Sequence, residues 1–173
     1  IKLPLFVAQQ LIRHRTARLN QASSRYQQFE WEVYHPDTWR MQDTKNKQGS
    51  SFDFDDEEDQ RWMNVFLNHT YDEARTFYED AISDGVAREQ ARIVMPAGQY
   101  TEMFWNMDLH NLFHFIEVRD HAHAQYEIQV YARAILELLR EYGNIPWALE
   151  IFEQVRQVKY ATQEKMRNLE DFD

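Results

Sequence analysis

The sequence predicts a helix-rich α+β fold built as one domain. Three observations carry that expectation. Apolar residues recur at helical spacing over long stretches, most clearly from Arg61 to Ser83 and from Ala122 to Tyr142. Two aromatic-rich segments, FEWEVY (Phe29 to Tyr34) and YTEMFWNM (Tyr100 to Met107), read as extended instead. Only 4 glycines and 4 prolines occur in 173 residues, so long helices fit and repeated tight turns do not. That length can bury a real core, and a hydrophobic share of 43% sets the chain apart from disordered sequences.

The elements follow in order. Pro4 suits the first turn of a helix, in which Leu5, Phe6, Ala8, Leu11 and Ile12 line one face through about Arg13. Gln10 and His14 then stand one turn apart. Asn20 to Tyr26 is polar and small and reads as an ordered loop, and Phe29 to Tyr34 alternates as a strand. Residues 42–60 form a polar, then acidic, surface loop. Its run Asp55 to Asp59 reads as a solvated helix start, where carboxylates favour the dipole. A calcium loop is the weaker reading, because the glycine and spacing of an EF-hand are missing. Trp62, Val65, Phe66, Tyr71, Ala74, Phe77, Tyr78 and Ile82 mark a helix that Gly85 ends. Val86 to Val94 is a short helix stopped by Pro96, and Tyr100 to Met107 is a strand or extended segment. Leu109 to Val118 and Ala122 to Tyr142 are helices, the second capped by Gly143. Pro146 opens another through about Val155, and the polar tail after Lys159 is expected to fray.

Charge is unevenly spread. The net charge is −10, yet residues 1–29 hold Lys2, Arg13, Arg15, Arg18 and Arg25 and no acid. A nucleic-acid binder carries a broad basic surface, whereas the acidic remainder here would repel a long polyanion. A small phosphorylated ligand fits better. No apolar run approaches the length of a bilayer span, no secretory signal is visible, and cysteine is absent. A disulfide scaffold and a thiolate metal site are excluded, and a cytoplasmic location without membrane or nucleic-acid partners is expected. The chain opens at Ile1 without an initiator methionine, so its N-terminal portion is expected to be missing.

The chemistry-bearing residues fall into a few groups. His110 and His114 are spaced to grip a metal, with Asp120 or Glu127 adding oxygen, but no HExxH or paired Glu-x-x-His pattern supports it. No metal is expected, and these histidines bond a ligand or satisfy core polar groups. Glycine-rich phosphate loops and the GxSxG elbow are absent, so side chains must hold any phosphate, a task that suits arginine forks. Ser23 and Ser24 follow His14 in sequence; a phosphate hydrogen bond is the stronger reading and a nucleophile the weaker. Arg92 and Arg119 adjoin apolar helix faces. Pattern alone favours snorkelling at the surface over facing a buried anion.

These groups together resemble flavin-dependent thymidylate synthases. The family signature, Arg-His-Arg, seven residues, then Ser, is met by Arg13-His14-Arg15 and Ser23, with Arg25-Tyr26 following. A second block is similar: Ala91 to Pro96, Tyr100-Thr101-Glu102, Trp105, and Asp108 to Phe115. A third runs from Arg119 through His123 to Ile128. Order and spacing agree over residues 3 to about 140.

The resemblance implies a helix-rich α+β fold with a small, mostly antiparallel sheet, a single catalytic domain over 1–173, and a homotetramer with sites shared between subunits. It implies reductive methylation of dUMP to dTMP. Methylenetetrahydrofolate would donate the carbon and NADPH would reduce a bound FAD. Lack of cysteine agrees with a family that needs no cysteine nucleophile. By position, Arg13, His14, Arg15, Gln21, Asp108, Leu109, His110 and His114 would hold the flavin. Gln10, Arg13, Gln21, Ala22, Ser23, Ser24, Arg25, Arg92 and Arg119 would hold the nucleotide. Arg119 would be catalytic, stabilising negative charge on the uracil. Gln21 departs from the glutamate usual in the signature, and a non-catalytic nucleotide- or flavin-binding homologue is the alternative.

Overall fold

The computed structural model describes residues 1–22, 31–44, 49–51 and 56–170. The fold is helix-rich α+β with a small antiparallel sheet, as expected. It divides into two compact units, Ile1–Asp108 and Leu109–Asp173.

The first unit is organised by β1 (Lys2–Pro4), α1 (Leu5–Leu11), β2 (Arg18–Gln21) and β5 (Tyr100–Asn106). The sheet order is β1-β5-β2, with both pairings antiparallel. β5 alternates as a half-buried strand should, placing Thr101 and Met103 inside and Glu102 and Phe104 outside. Register sets Lys2 opposite Glu102 and Gln21 opposite Met103. Leu3, Val7 and Leu11 are fully buried and form the core beneath the sheet with Met103.

Two expectations near the start are corrected. Pro4 ends a strand and stands at the N-cap of α1, which closes at Leu11 rather than Arg13. Pro4 has no side-chain cap to offer, so the first helical N–H groups turn to the backbone: Leu5 donates to Gln99 O and Phe6 to Ala97 O, both at 2.9 Å. Asn20 and Gln21, read as loop, belong to β2. Part of the Phe29 to Tyr34 strand lies outside the described residues, and over 31–34 only Val33 bridges, to Gln99.

A second ribbon pairs β3 (Met41–Gln42) with β4 (Ser50–Ser51) inside the stretch read as loop. Then α2 runs Glu57–Ser83; Asp56 caps it, accepting from Glu58 N at 2.8 Å, so the acidic run is a helix start. Gly85, at φ 83, ends it, with Val86 N reaching back to Ala81 O. α3 (Arg88–Ala91) passes into a 3-10 turn, Arg92–Val94.

The second unit contains α4 (Leu109–Arg119), α5 (Tyr126–Tyr142) and α6 (Pro146–Glu170). Phe115 and Ile116 of α4 and Ile128 and Ala132 of α5 are fully buried. Phe113 stacks on Phe152 of α6 at 4.4 Å. α5 begins four residues later than the periodicity implies, and α6 continues well beyond Val155 without fraying at Lys159. Among the described residues no helix is long and apolar enough to cross a membrane.

Candidate functional site

The end of α1 winds down through tight turns: Arg13 N donates to Gln10 O at 3.3 Å, His14 N to Leu11 O at 3.1 Å and Ala17 N to His14 O at 3.2 Å. These turns leave Arg13, Arg15 and Arg18 exposed while His14 and Gln10 are half-buried. Among the described residues none of the three arginines has a carboxylate partner. Three such guanidiniums between Arg13 and Arg18, two on the turn and one opening β2, repel one another and attract an anion.

Beyond that turn β2 carries the chain along β5. Ala22 N donates to Glu102 O at 2.8 Å, and Gln21 Nε2 donates to Thr101 Oγ1 at 3.0 Å. The bond is diagonal across the ladder, since Gln21 pairs with Met103 and Thr101 lies two residues before it on the same face. Gln21 and Ala22 thereby reach a cleft of about 860 Å³ whose other walls include Arg92, Gln99, Tyr100 and Thr101. Arg92 is exposed on its 3-10 turn, its Nε donating to Glu89 O at 3.4 Å, with buried Ala91 anchoring the turn. Burial, and then the nearby Glu32 carboxylate, raise the Tyr100 phenol above its ordinary pKa.

The structure thus brings together Gln21, Ala22 and Arg92, each expected at the nucleotide from the resemblance, and adds Gln99, Tyr100 and Thr101, which were not among the expected site residues. Tyr100 and Thr101 sit in the second block of the family resemblance, which was the available signal. Ser23, Ser24 and Arg25 lie outside the described residues. Gln10, Arg13, His14 and Arg15 do not line this cleft.

In the second unit His110 and His114 are exposed one turn apart on α4, Leu109 is half-buried, and Asp108 precedes the helix. His114 lines a different cleft, about 520 Å³, with Glu117, His121, Arg156 and Tyr160. Arg119 ends α4, half-buried; burial alone pulls its pKa below the ordinary arginine value. A guanidinium keeps its proton regardless, so Arg119 is a fixed cation in a poorly solvated place.

Asp120 fixes the end of that helix. Its carboxylate accepts from Arg133 Nε at 2.7 Å and from Arg156 Nη2 at 2.5 Å, and its carbonyl accepts from Tyr160 at 3.1 Å. Burial lowers the Arg156 pKa, but the bonds to Asp120 and Tyr160 outweigh it and the net shift is upward. Glu127 is buried and accepts from Gln125 Nε2 at 2.8 Å. Both acids considered as metal ligands are thus engaged structurally, and among the described residues no group of three or more His, Asp or Glu side chains is placed to hold a metal ion.

Residues 1–143 match the family model described as thymidylate synthase complementing protein. A flavin-dependent thymidylate synthase of Thermus thermophilus is 45% identical over 148 residues, which cover 86% of this chain and 53% of the relative. One from Wolbachia pipientis wMel is 40% identical over 154 residues, covering 88% and 53%. Among solved structures, the UMP/dUMP methylase PolB of Streptomyces cacaoi bound with 5-Br UMP matches with a TM-score of 0.75 at 25% identity, over 81% of this chain and 66% of that one. The chain spans about half the length of the curated relatives it matches.

Proposed function

This chain belongs to the thymidylate synthase complementing protein family, and from that membership we propose that it is a flavin-dependent thymidylate synthase. It would methylate dUMP to dTMP with methylenetetrahydrofolate as carbon donor and NADPH-reduced FAD as hydride source. The observation that carries the reading is the cleft of the first unit. Gln21, Ala22 and Arg92, assigned to the nucleotide from separate motifs, meet there. Relatives named as synthases support catalysis over a non-catalytic homologue.

The residues present fit a flavin nucleotide. Arg13 and Arg15 offer exposed guanidiniums to a pyrophosphate, with His14 between them. Asp108, the last residue of the first unit, and Leu109, His110 and His114 of the second are the other flavin contacts in this reading. FAD, when bound, supplies hydride chemistry that no side chain of the chain provides. The protein's own residues bind and orient. Gln10, Arg13 and Arg92 fix the nucleotide, Gln21 and Ala22 bound its cleft, and Ser23, Ser24 and Arg25 hold the phosphate in this reading. Arg119 presents a permanent cation whose burial strengthens its effect on charge developing in the uracil ring. We take the active form to be a cytoplasmic homotetramer, with each site drawing on more than one copy and the two units serving one catalytic domain.

The test uses protein expressed from its complete reading frame. Flavin absorbance in the purified protein, NADPH oxidation, and tritium release from [5-³H]dUMP are expected together. Protein that binds no flavin and releases tritium only at background overturns the proposal.

A further inference from the structure

We propose that Thr101 is a positioning residue for the nucleotide, its hydroxyl proton aimed into the cleft by Gln21; the inference rests on reading this cleft as the nucleotide site. A threonine hydroxyl has one proton to give and lone pairs to receive. Gln21 Nε2 donates to Thr101 Oγ1 at 3.0 Å, so the amide fixes the hydroxyl as an acceptor on that side. The hydroxyl's own proton must then go elsewhere. Among the described residues nothing takes it. Thr101 is only 3% exposed and lines the cleft beside Arg92.

A buried donor left without an acceptor is costly, and a nucleoside monophosphate brings sugar and phosphate oxygens that accept. The side-chain amide at position 21 is essential to this polarity. Glutamate there has no proton to donate, so it would take the Thr101 proton and leave the ligand none. Neutral glutamine also spares an anionic ligand a nearby carboxylate.

The experiment measures dUMP affinity by calorimetry on the flavin-loaded protein, with flavin content as a control. Thr101→Val should weaken dUMP binding roughly tenfold, the loss of one hydrogen bond to a charged or polar partner. Thr101→Ser, which keeps the hydroxyl, should restore most of it. In a Gln21→Glu background, Thr101→Val should cost almost nothing further, because the carboxylate already holds the proton. Repeating the Thr101→Val comparison with deoxyuridine assigns the acceptor: loss retained points to the sugar, loss abolished to the phosphate, and either supports the proposal. An equal loss from Thr101→Val in both backgrounds, or none in either, overturns it. Wild-type protein that binds flavin but no dUMP overturns the site reading and this inference together. Wild-type binding with an indifferent Thr101→Val overturns the inference alone.

Discussion

The Tyr71 hydroxyl fills the space into which a side chain at Gly98 would grow: a Cβ there would stand 2.1 Å from that oxygen. The same hydroxyl donates to Tyr34 O at 2.9 Å, and Gly98 O accepts from Tyr34 N at 2.9 Å. One long helix thus pins the turn that precedes Gln99 and Tyr100 in the cleft wall and supplies the carbonyls capping α1. Gly98→Ala should destabilise the protein by about 1–3 kcal/mol through overpacking. Adding Tyr71→Phe removes the clashing oxygen, and the next contact, 3.1 Å from Cζ, needs only a small shift. The double variant should therefore be more stable than the sum of the two single losses, by roughly 1 kcal/mol. Strict additivity in urea titrations would contradict this geometry.

Tyr71 also predicts a pH dependence. Burial, then Tyr100, raise its pKa above the ordinary phenol value. The folded state therefore holds this proton more tightly than the unfolded chain does. The stabilisation is complete below the unfolded tyrosine value of about 10 and is lost as pH rises from there through the folded value. Tyr71→Phe should flatten the alkaline limb of a stability-against-pH curve. Tyr100, also raised, should leave part of that limb in place. An unchanged limb in the variant would contradict the buried phenol.

The long elements were legible because their signals are collective. Helical spacing over α2 and α5 and the in-out alternation of β5 each rest on several residues, although in α2 only Tyr71 and Tyr78 are buried while Trp62, Val65, Phe66 and Phe77 stay exposed. β2 was not legible for a physical reason. All four of its residues are exposed and it pairs on one side only, at the edge of the sheet, so no apolar alternation is required of Arg18-Leu19-Asn20-Gln21. Pro4 misled because its fixed φ serves equally before a helix and inside its first turn. α6 outlasted its apolar pattern because Gln, Glu, Lys, Met and Arg beyond Lys159 are good helix formers. Gln21, Ala22 and Arg92 were readable only through motif spacing. Thr101 was invisible as a partner of Gln21, since their diagonal contact depends on strand register.

Asp120 predicts a stability defect of a particular kind. Its side chain and that of Arg156 are 13% and 14% exposed, so removing one charge strands the other in a poorly solvated place. Asp120→Asn should cost roughly 1–3 kcal/mol, less than for a fully enclosed pair because water reaches part of it. Asp120→Asn with Arg156→Met should recover some of that loss. A thermal-shift comparison in which the double variant is worse than the single would show that the ion pair is not what holds α4, α5 and α6 at this point.

Arg119 separates chemistry from binding. It adjoins the Asp120 anchor at the end of α4, is half-buried, and keeps its charge throughout the working pH range. If its task is to stabilise charge on the uracil, the interaction strengthens as that charge develops and matters little to the resting flavin. Arg119→Ala should then lower turnover by about 10²–10³-fold, the scale for losing one preorganised electrostatic contact, while flavin content stays near wild type. Arg119→Lys should recover only part of the rate, since a point charge lacks the planar fork. Turnover should also show no alkaline limb attributable to this residue. Flavin absorbance and tritium release measured on the same preparations decide the matter: proportional loss of both would make Arg119 a structural residue of α4.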